Sequence, residues 1–153
     1  NIIPCAGSGQ DGEWRVGAAW PEPRFDITQA GVLDRLTGLL WHRSANLTSQ
    51  PVIWREALAA VQALNQSGKN TVWRLPTINE LESLVDCAMH SPALPGDHPF
   101  TDVQDIYWSS TTSLFEPDWA WALYLGKGAT GIGQKRHAQF SVWAVQAPDA
   151  RGQ

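Results

Sequence analysis

The sequence predicts an α+β domain in which two helices pack on twisted antiparallel sheet, and three observations lead to this prediction. Two segments in the middle of the chain have helical periodicity. Short apolar segments separated by turn residues precede them, and segments rich in aromatic and β-branched residues follow them. Because helices and strands occupy separate parts of the chain, antiparallel pairing is expected. For 153 residues we expect a single domain, 1–153.

The first part of the chain is expected to contribute an arm and a hairpin. Residues 1–23 contain glycines and prolines without a clear period, and we expect this arm to pack through Trp14 and Trp20. The segments RFDI and GVLD then predict short strands. A turn at 35–38 would close a hairpin into a further strand at 39–42.

The first helix is predicted between Pro51 and Gly68. Proline suits the first turn of a helix, and glycine suits its end. Apolar residues recur in this segment at three- and four-residue steps, which places them on one face: Trp54, Ala57, Leu58, Val61 and Leu64.

The second helix is predicted to begin at Thr77. Thr77 and Glu80 have the spacing of a capping box, in which each side chain binds a backbone N–H near the helix start. Just before it, Trp73, Arg74 and Leu75 are expected to form a packing corner, with Arg74 bound to a carboxylate or carbonyl group of the protein itself. The buried face of the helix would consist of Leu81, Leu84, Val85 and Ala88.

The two cysteines, Cys5 and Cys87, allow two interpretations. They lack the C-x-x-C spacing of zinc sites, so they are either two buried thiols or one disulfide. A disulfide would join the arm to the flank of the second helix, and closing so long a loop would contribute roughly 4 to 5 kcal/mol. We predict the Cys5–Cys87 disulfide, which would imply an oxidising compartment.

The late part of the chain contains a glycine motif that belongs either to a nucleotide site or to a turn. Gly126, Gly128 and Gly131 have the G-x-G-x-x-G spacing of dinucleotide-binding loops. A helix follows such a loop, whereas the residues after Gly131 alternate as a strand. We therefore predict hairpin glycines that supply positive φ, and no cofactor. The late strands are predicted at IYWSSTT, WAWALYL and AQFSVWAVQ.

A ligand-binding face is predicted around the late hairpin. The basic run at 135–137, with Lys127 across the hairpin, could bind sulfate, carboxylate or phosphate groups, for which arginine has a two-pronged donor geometry. The alternative for this run is a solvated strand surface. Trp119 would be exposed and could stack on a sugar ring, whereas Trp121 would fill the core. The candidate ligand residues are Trp119, Lys127, Lys135, Arg136 and His137.

Other functions have weaker support. The chain lacks the motifs G-x-S-x-G, H-E-x-x-H and G-x-x-x-x-G-K-[ST], and we expect no enzyme. Asp97, Asp102 and Asp105, with His98 among them, could hold calcium, but ordinary loop polarity explains them better and no metal is predicted. The net charge of −4 argues against nucleic acid as a partner. No apolar run approaches the ~20 residues that span a membrane, so no membrane insertion is expected.

Several segments, taken in order, resemble one family. RFDITQAGVLDRLTGLLWHR, WREALAAVQALN, WRLPTINELESLVD, YWSSTT and AWALYLGKG are similar to the Lcl C-terminal domain family, a bacterial extracytoplasmic module of collagen-like adhesins. The resemblance extends from about Arg24 to Gln146. It implies a fold similar to C-type lectins and formylglycine-generating enzymes. It also implies an extracellular or periplasmic location and, as in the adhesin, trimer formation with binding of sulfated polysaccharide.

The resemblance is incomplete at three points. The chain has no cysteine after Cys87, whereas the formylglycine-generating relatives carry a late cysteine pair. EPDW at 116–119 only loosely matches the E-P-N loop of calcium-dependent lectins, and no W-N-D follows. The net charge is −4, whereas binding of a polyanion favours a basic surface. We therefore predict a non-enzymatic lectin-like or adhesin-type module that binds a carbohydrate or an anionic polymer. The alternative is a structural or assembly module that binds a protein partner or its own copies.

Overall fold

The computed structural model of the protein describes residues 3–67 and 72–148. The helices are α1 (Asp11–Trp14), α2 (Trp54–Leu64), which a 3-10 turn at Asn65–Ser67 continues, and α3 (Ile78–Glu82). The strands are β1 (Phe25–Ile27), β2 (Val32–Asp34), β3 (Leu40–Trp41), β4 (Ile106–Thr112), β5 (Trp119–Tyr124), β6 (Ala129–Gln134) and β7 (Val145–Gln146). They form two antiparallel sheets, with the orders β1-β2-β3-β7 and β4-β5-β6. The predicted α+β class is confirmed.

The four-stranded sheet is built from the early hairpins that the sequence predicts. β1 pairs with β2, and Val32 of β2 pairs with Trp41 of β3. In the turn between β2 and β3, Gly38 has a φ of 76°, which a residue with a Cβ adopts only with strain. The strand predicted at 39–42 is shorter than expected and covers Leu40–Trp41, although His42 N still donates to Ala144 O beside β7.

The three-stranded sheet contains the glycine motif. The residues after Gly131 continue as strand β6, which pairs with β5 from Trp119↔Gln134 to Tyr124↔Ala129. The prediction of a hairpin rather than a helix is therefore confirmed, although its second strand, β6, was not among the predicted strands and contains Gly131. Of the three glycines of the motif, however, only Gly128 has positive φ, at 76°. Gly131 is needed for a different reason, because a Cβ there would lie 2.5 Å from the Tyr124 ring.

The segment after β6 is extended but lies mostly outside the sheets. Instead of one long strand over AQFSVWAVQ, only β7 joins a sheet, and residues 140, 141 and 145 form isolated bridges to three distant parts of the chain. The predicted alternation of this segment is nevertheless observed. One core cluster contains Val142 and Ala144, and the other contains Trp143 and Val145. The segment therefore contributes to both clusters at once.

Helix α2 buries the predicted face. Ala57 and Val61 are buried, and the other three apolar residues of that face are partly buried against the same cluster. The helix begins at Trp54, three residues after Pro51, and ends at Leu64. Gly68, the predicted stop, lies outside the described residues.

Helix α3 is shorter than its apolar periodicity predicts. The Thr77–Glu80 capping box is present, with Glu80 N donating to Thr77 Oγ1 at 3.2 Å and Thr77 N donating to Glu80 Oε1 at 2.8 Å. The helix ends at Glu82. Leu84 is still fully buried, whereas Ala88 is exposed, because the chain turns away from the helical path between them.

The N-terminal arm does not pack as predicted. Trp14 is 64% exposed and Trp20 is 45% exposed, so neither fills the core. Trp20 instead covers the guanidinium group of Arg24, at 4.6 Å from the ring centroid. A cationic partner of this kind satisfies an aromatic face without burying the whole ring.

The predicted disulfide is not formed. Cys5 and Cys87 are both free cysteines in the structure. Cys5 stays within the arm, where its Sγ contacts Ile3 O at 3.5 Å and packs against Gly12. Cys87 is exposed in the turn after α3. The arm makes its own local contacts and does not bring one thiol to the other.

A buried ion pair joins the early strands to α3. Arg24 binds Asp34 through two hydrogen bonds of 2.9 and 2.8 Å, and the two residues are 3% and 0% exposed. Arg24 Nη2 also donates to Ser83 O at 2.6 Å, directly after α3. This pair therefore links segments that are distant in sequence.

Candidate functional site

The backbones of four of the five predicted ligand residues lie close together where β6 ends. Trp119 pairs with Gln134 in the β5–β6 register, and Lys135 N donates to Asp118 O at 2.9 Å. The chain then turns, with His137 N donating to Gln134 O. Trp54 joins the group because it contacts Lys135. We call this group the basic–aromatic corner: Trp54, Trp119, Lys135, Arg136 and His137.

Lys135 is held by the protein itself. Its Nζ lies 4.2 Å from the Trp54 ring centroid, which is a cation–π contact, and donates to Thr112 Oγ1 at 2.8 Å. Its backbone C=O accepts a hydrogen bond from Trp54 N at the start of α2. Lys135 therefore supports the corner by joining α2 to β4, and its charge is already partnered.

Arg136 and His137 are the exposed basic side chains of the corner. Arg136 N donates to Gln134 Oε1 at 2.9 Å, which holds the turn that presents both side chains. Within residues 3–67 and 72–148, neither side chain forms an ion pair with a carboxylate. Two exposed acidic residues, Glu116 and Asp118, lie on the loop that precedes Trp119, so the corner carries charges of both signs.

Lys127 lies at the other end of the hairpin. It is exposed in the turn between β5 and β6, with its Nζ 6.0 Å from the Tyr124 ring centroid. Six strand residues at ~3.3 Å each separate this turn from Lys135. The prediction that Lys127 faces the basic run is wrong, because the second strand of the hairpin contains the glycines and ends where the run begins.

The two tryptophans of β5 are exposed in the opposite order to the prediction. Trp119 is half-buried, whereas Trp121, predicted to fill the core, is 37% exposed. Leu123 lies on the same face as Trp121 and is fully buried in one cluster with Leu81 of α3.

An exposed apolar loop adjoins the corner and was not predicted from the sequence. Leu114 and Phe115 are 93% and 92% exposed between β4 and β5. Two large apolar residues between Ser113 and Pro117, both turn formers, were the available sign. On the sheet beside them, Ile132 is 39% exposed and pairs with Trp121. Apolar and basic surfaces therefore meet at this end of the molecule.

Arg74 has the structural role that the sequence predicts. It forms two hydrogen bonds with the carboxylate of Glu80, at 2.5 and 2.6 Å. Burial would raise the pKa of Glu80, but the bonds from Arg74 and Thr77 outweigh it and keep that pKa below its ordinary value. Arg74 and Ser110 also line a cleft of about 350 Å³ beside α2. The cleft has a mainly apolar wall.

The acidic loop around His98 does not assemble a metal site. In the described residues, no group of three or more His, Cys, Asp or Glu side chains could hold a metal ion. His98 stacks on Phe100 with ring centroids 5.9 Å apart. Burial lowers the pKa of His98, and the charge of Asp97 opposes this shift.

No helix among the described residues is long and apolar enough to cross a membrane. Comparison with known proteins gave one family. The model of the Lcl C-terminal domain matches residues 30–146. No curated protein and no solved structure matches the chain.

Proposed function

The chain belongs to the Lcl C-terminal domain family, and from this premise we propose that it is a non-enzymatic, extracellular or periplasmic binding module of the adhesin type. Its ligand is a carbohydrate that carries anionic groups, and its binding site is the basic–aromatic corner. The observation that carries the proposal is the position of two exposed basic residues, Arg136 and His137, which form no ion pair among the described residues and closely follow Gln134, the strand partner of Trp119.

Arg136 supplies the anion-binding group. A guanidinium group binds sulfate or carboxylate through two parallel hydrogen bonds, and these are stronger than bonds between neutral groups. The turn that carries Arg136 is held by the Gln134 side chain and by the backbone bond from His137. A ligand therefore meets a basic group on an ordered backbone, which lowers the entropic cost of binding.

The tryptophans supply apolar surface of the kind that sugars stack on. Trp119 is half-buried at the corner, and Trp121 follows it on the same face of β5 with 37% exposure. A partly exposed indole offers a flat apolar face to the C–H side of a sugar ring. On the opposite face of the sheet, Lys135 holds the Trp54 ring through a cation–π contact and binds Thr112, the strand partner of Ala120.

The mixture of charges favours an acidic sugar over a dense polyanion. Glu116 and Asp118 lie on the loop beside Trp119 and would repel a closely spaced row of sulfates. A saccharide with isolated carboxylate or sulfate groups can bind Arg136 while it avoids these carboxylates. Binding should weaken as salt rises, since the Debye length is ~8 Å at physiological ionic strength.

A glycan array with sulfated, acidic and neutral glycans, read at low and moderate salt, tests the proposal. We expect Arg136→Gln to weaken binding of acidic glycans about tenfold, because a charged hydrogen bond is lost. Lys127→Gln makes the same change of charge at the other end of the hairpin and should change binding by less than about twofold. No binding to any glycan, or equal losses in both variants, would exclude the corner as the site.

The ionisable groups with shifted pKa values belong to structural contacts in different parts of the described structure. The groups with shifted pKa values include Glu80, His98 and Tyr107, and they serve an ion pair, an aromatic stack and a buried hydrogen bond to Ala45 O. A catalytic site would gather such groups in one pocket. These three groups have separate structural partners.

A second candidate function is assembly with a protein partner or with other copies of the chain. The exposure of Leu114 and Phe115 favours it, because large apolar side chains at a loop tip are costly in water unless they are covered. Light scattering at high concentration tests it, with Phe115→Ser as the variant. A monomer for both proteins would count against assembly and would leave carbohydrate binding unaffected.

A further inference from the structure

Strand β6 has an outer edge that no other strand covers. Among the described residues, β6 is the last strand of its sheet and pairs only with β5. Lys135 N donates to Asp118 O, and Leu125 N donates to Asp105 O on the opposite side of β5. These two bonds set which residues of β5 direct their backbone groups towards β6, because the direction alternates along a strand.

The alternation assigns the free edge to three residues of β6. Ala129, Gly131 and Gly133 pair with those β5 residues that direct their backbone groups towards β6. Their own N–H and C=O groups therefore point back to β5. It follows that Thr130, Ile132 and Gln134 direct theirs outward.

Some of these outward groups already have partners. Gln134 O accepts from the turn that follows, and Ile132 O accepts from Tyr124 Oη at 3.2 Å. Within the described part of the chain, the N–H groups of Thr130, Ile132 and Gln134 and the C=O group of Thr130 have none. A row of such groups matches the backbone of another extended chain.

The other long strand edge in this sheet is closed. Trp108 N donates to Ser141 O and Ser110 N donates to Pro76 O, so the outer side of β4 is occupied. β6 has no proline and no charged residue over its six positions, and its pairing with β5 has no bulge. These are the devices with which proteins usually block an edge strand, and β6 lacks them.

The side chains on β6 indicate what an added strand should carry. Ile132 is 39% exposed and lies beside Trp121, which is 37% exposed. A residue opposite Ile132 on an added strand would extend this apolar row by one position. On the other face, Gly131 lies under the Tyr124 ring and leaves the edge accessible to backbone. An apolar residue at the centre of the partner is therefore favoured.

Charges at both ends of the edge select the partner. Lys127 is exposed just before β6, and Arg136 is exposed just after it. The carboxylate residue Asp118 lies on the β5 side of Lys135, one strand further from the open edge, and Glu116 lies on the loop before it. A second copy of this chain would bring a basic end of its own β6 to each of these residues, in either strand direction, and would be repelled. A segment with carboxylates at its two ends would be attracted at both.

We propose that β6 is a docking edge for an extended peptide of another protein, which adds a fourth strand along Thr130–Gln134. The peptide has an apolar side chain opposite Ile132 and acidic side chains at both ends. Its backbone binds the outward groups of β6, and its side chains determine specificity. The backbone edge takes no part in the carbohydrate proposal, although Arg136 borders both surfaces and Trp121 lies beside both.

The test uses a synthetic nine-residue peptide of alternating valine and threonine with two glutamates at each end, titrated by fluorescence anisotropy. Thr130→Pro removes an outward N–H and places a ring on the edge, yet breaks no bond to β5, since proline is tolerated at edge strands. We expect it to weaken binding at least about tenfold. Thr130→Val keeps the N–H and should bind within about twofold of the unchanged protein. A peptide with lysines in place of the glutamates should bind at least about tenfold more weakly.

Amide hydrogen exchange on the unchanged protein gives a readout that does not depend on any variant. The added strand should slow exchange at Thr130, Ile132 and Gln134, and leave Gly131 and Gly133 as they were. The proposal would be overturned if the peptide showed no saturable binding up to about 1 mM, or if protection did not alternate in this way. It would also be overturned if the protein alone formed a dimer that Thr130→Pro converts to a monomer. Glycan binding should be the same in Thr130→Pro and Thr130→Val, so failure here leaves the carbohydrate proposal standing.

Discussion

Replacing Arg24 with methionine should destabilise the protein more than breaking any other ion pair among the described residues. The change keeps most of the side-chain volume but leaves Asp34, which is 0% exposed, without its cationic partner. It also removes the donor to Ser83 O. Breaking a buried pair from one side costs about 3 to 5 kcal/mol, because a charge remains in a low-dielectric interior.

The chain contains a matched control for this change. Arg35 and Asp26 form a second arginine–aspartate pair, but the atoms are 3.8 Å apart and the side chains are 40% and 48% exposed. Exposed pairs contribute about 0 to 1 kcal/mol, since water screens them. Arg35→Met should therefore cost about 1 kcal/mol at most.

Urea unfolding followed by tryptophan fluorescence measures both free energies of unfolding. In a chain of this length, Arg24→Met should also lower Tm by roughly 2 to 4 °C for each kcal/mol lost. A double variant with Asp34→Asn should recover part of the loss, because the amide keeps an oxygen for Leu36 N but carries no charge. If Arg24→Met costs no more than Arg35→Met, burial does not determine the strength of this pair and the reasoning is refuted.

Three further predictions concern packing, pH and thiol chemistry. Gly133→Ala should cost about 1 to 3 kcal/mol of unfolding free energy, because a Cβ there would overlap the Phe140 ring. Gly126→Ala, where the nearest atom is 3.9 Å away, should cost much less in the same unfolding experiment. Since the pKa of Glu80 is lowered in the folded chain, its bonds stabilise the protein above the ordinary glutamate pKa, and that stability is lost as the pH falls through the folded pKa. Acid titration of Glu80→Gln, followed by circular dichroism, should show a shallower loss. Cys87 should react with a thiol reagent in the native protein, because it is free and exposed; no reaction without reductant would restore the disulfide prediction.

Much of the local structure could be predicted from the sequence. The Thr77–Glu80 capping box, the apolar face of α2 and the turn at Gly38 formed as expected. In each case the interacting residues are a few positions apart, so the residue types and their spacing contain the interaction. The choice of extended chain rather than a helix after Gly131 was correct, but the predicted strand was AQFSVWAVQ, and β6 at 129–134 was not predicted.

The candidate site could be predicted only in part. The run at 135–137 and Trp119 came together because they are neighbours across one hairpin. The position of Lys127 depended on where that hairpin turns. Because the second strand runs from Ala129 to Gln134, Lys127 lies at the opposite end of the hairpin from the run at 135–137. The exposure of Trp121 depended on which other parts of the chain cover that face of β5, and local spacing does not specify this.

The sequence by itself determined the α+β class, the family, the helices α2 and α3 and the early strands, because each rests on periodicity and motifs within a few residues. Only the tertiary structure decided which elements meet. Lys135 lies over Trp54, Arg24 binds Ser83 O, and the segment before β7 fills both core clusters. Such contacts join residues far apart in sequence, and a periodic pattern specifies a buried face without specifying its partner. For the same reason, the open edge of β6 became visible only when the strand order of its sheet was known.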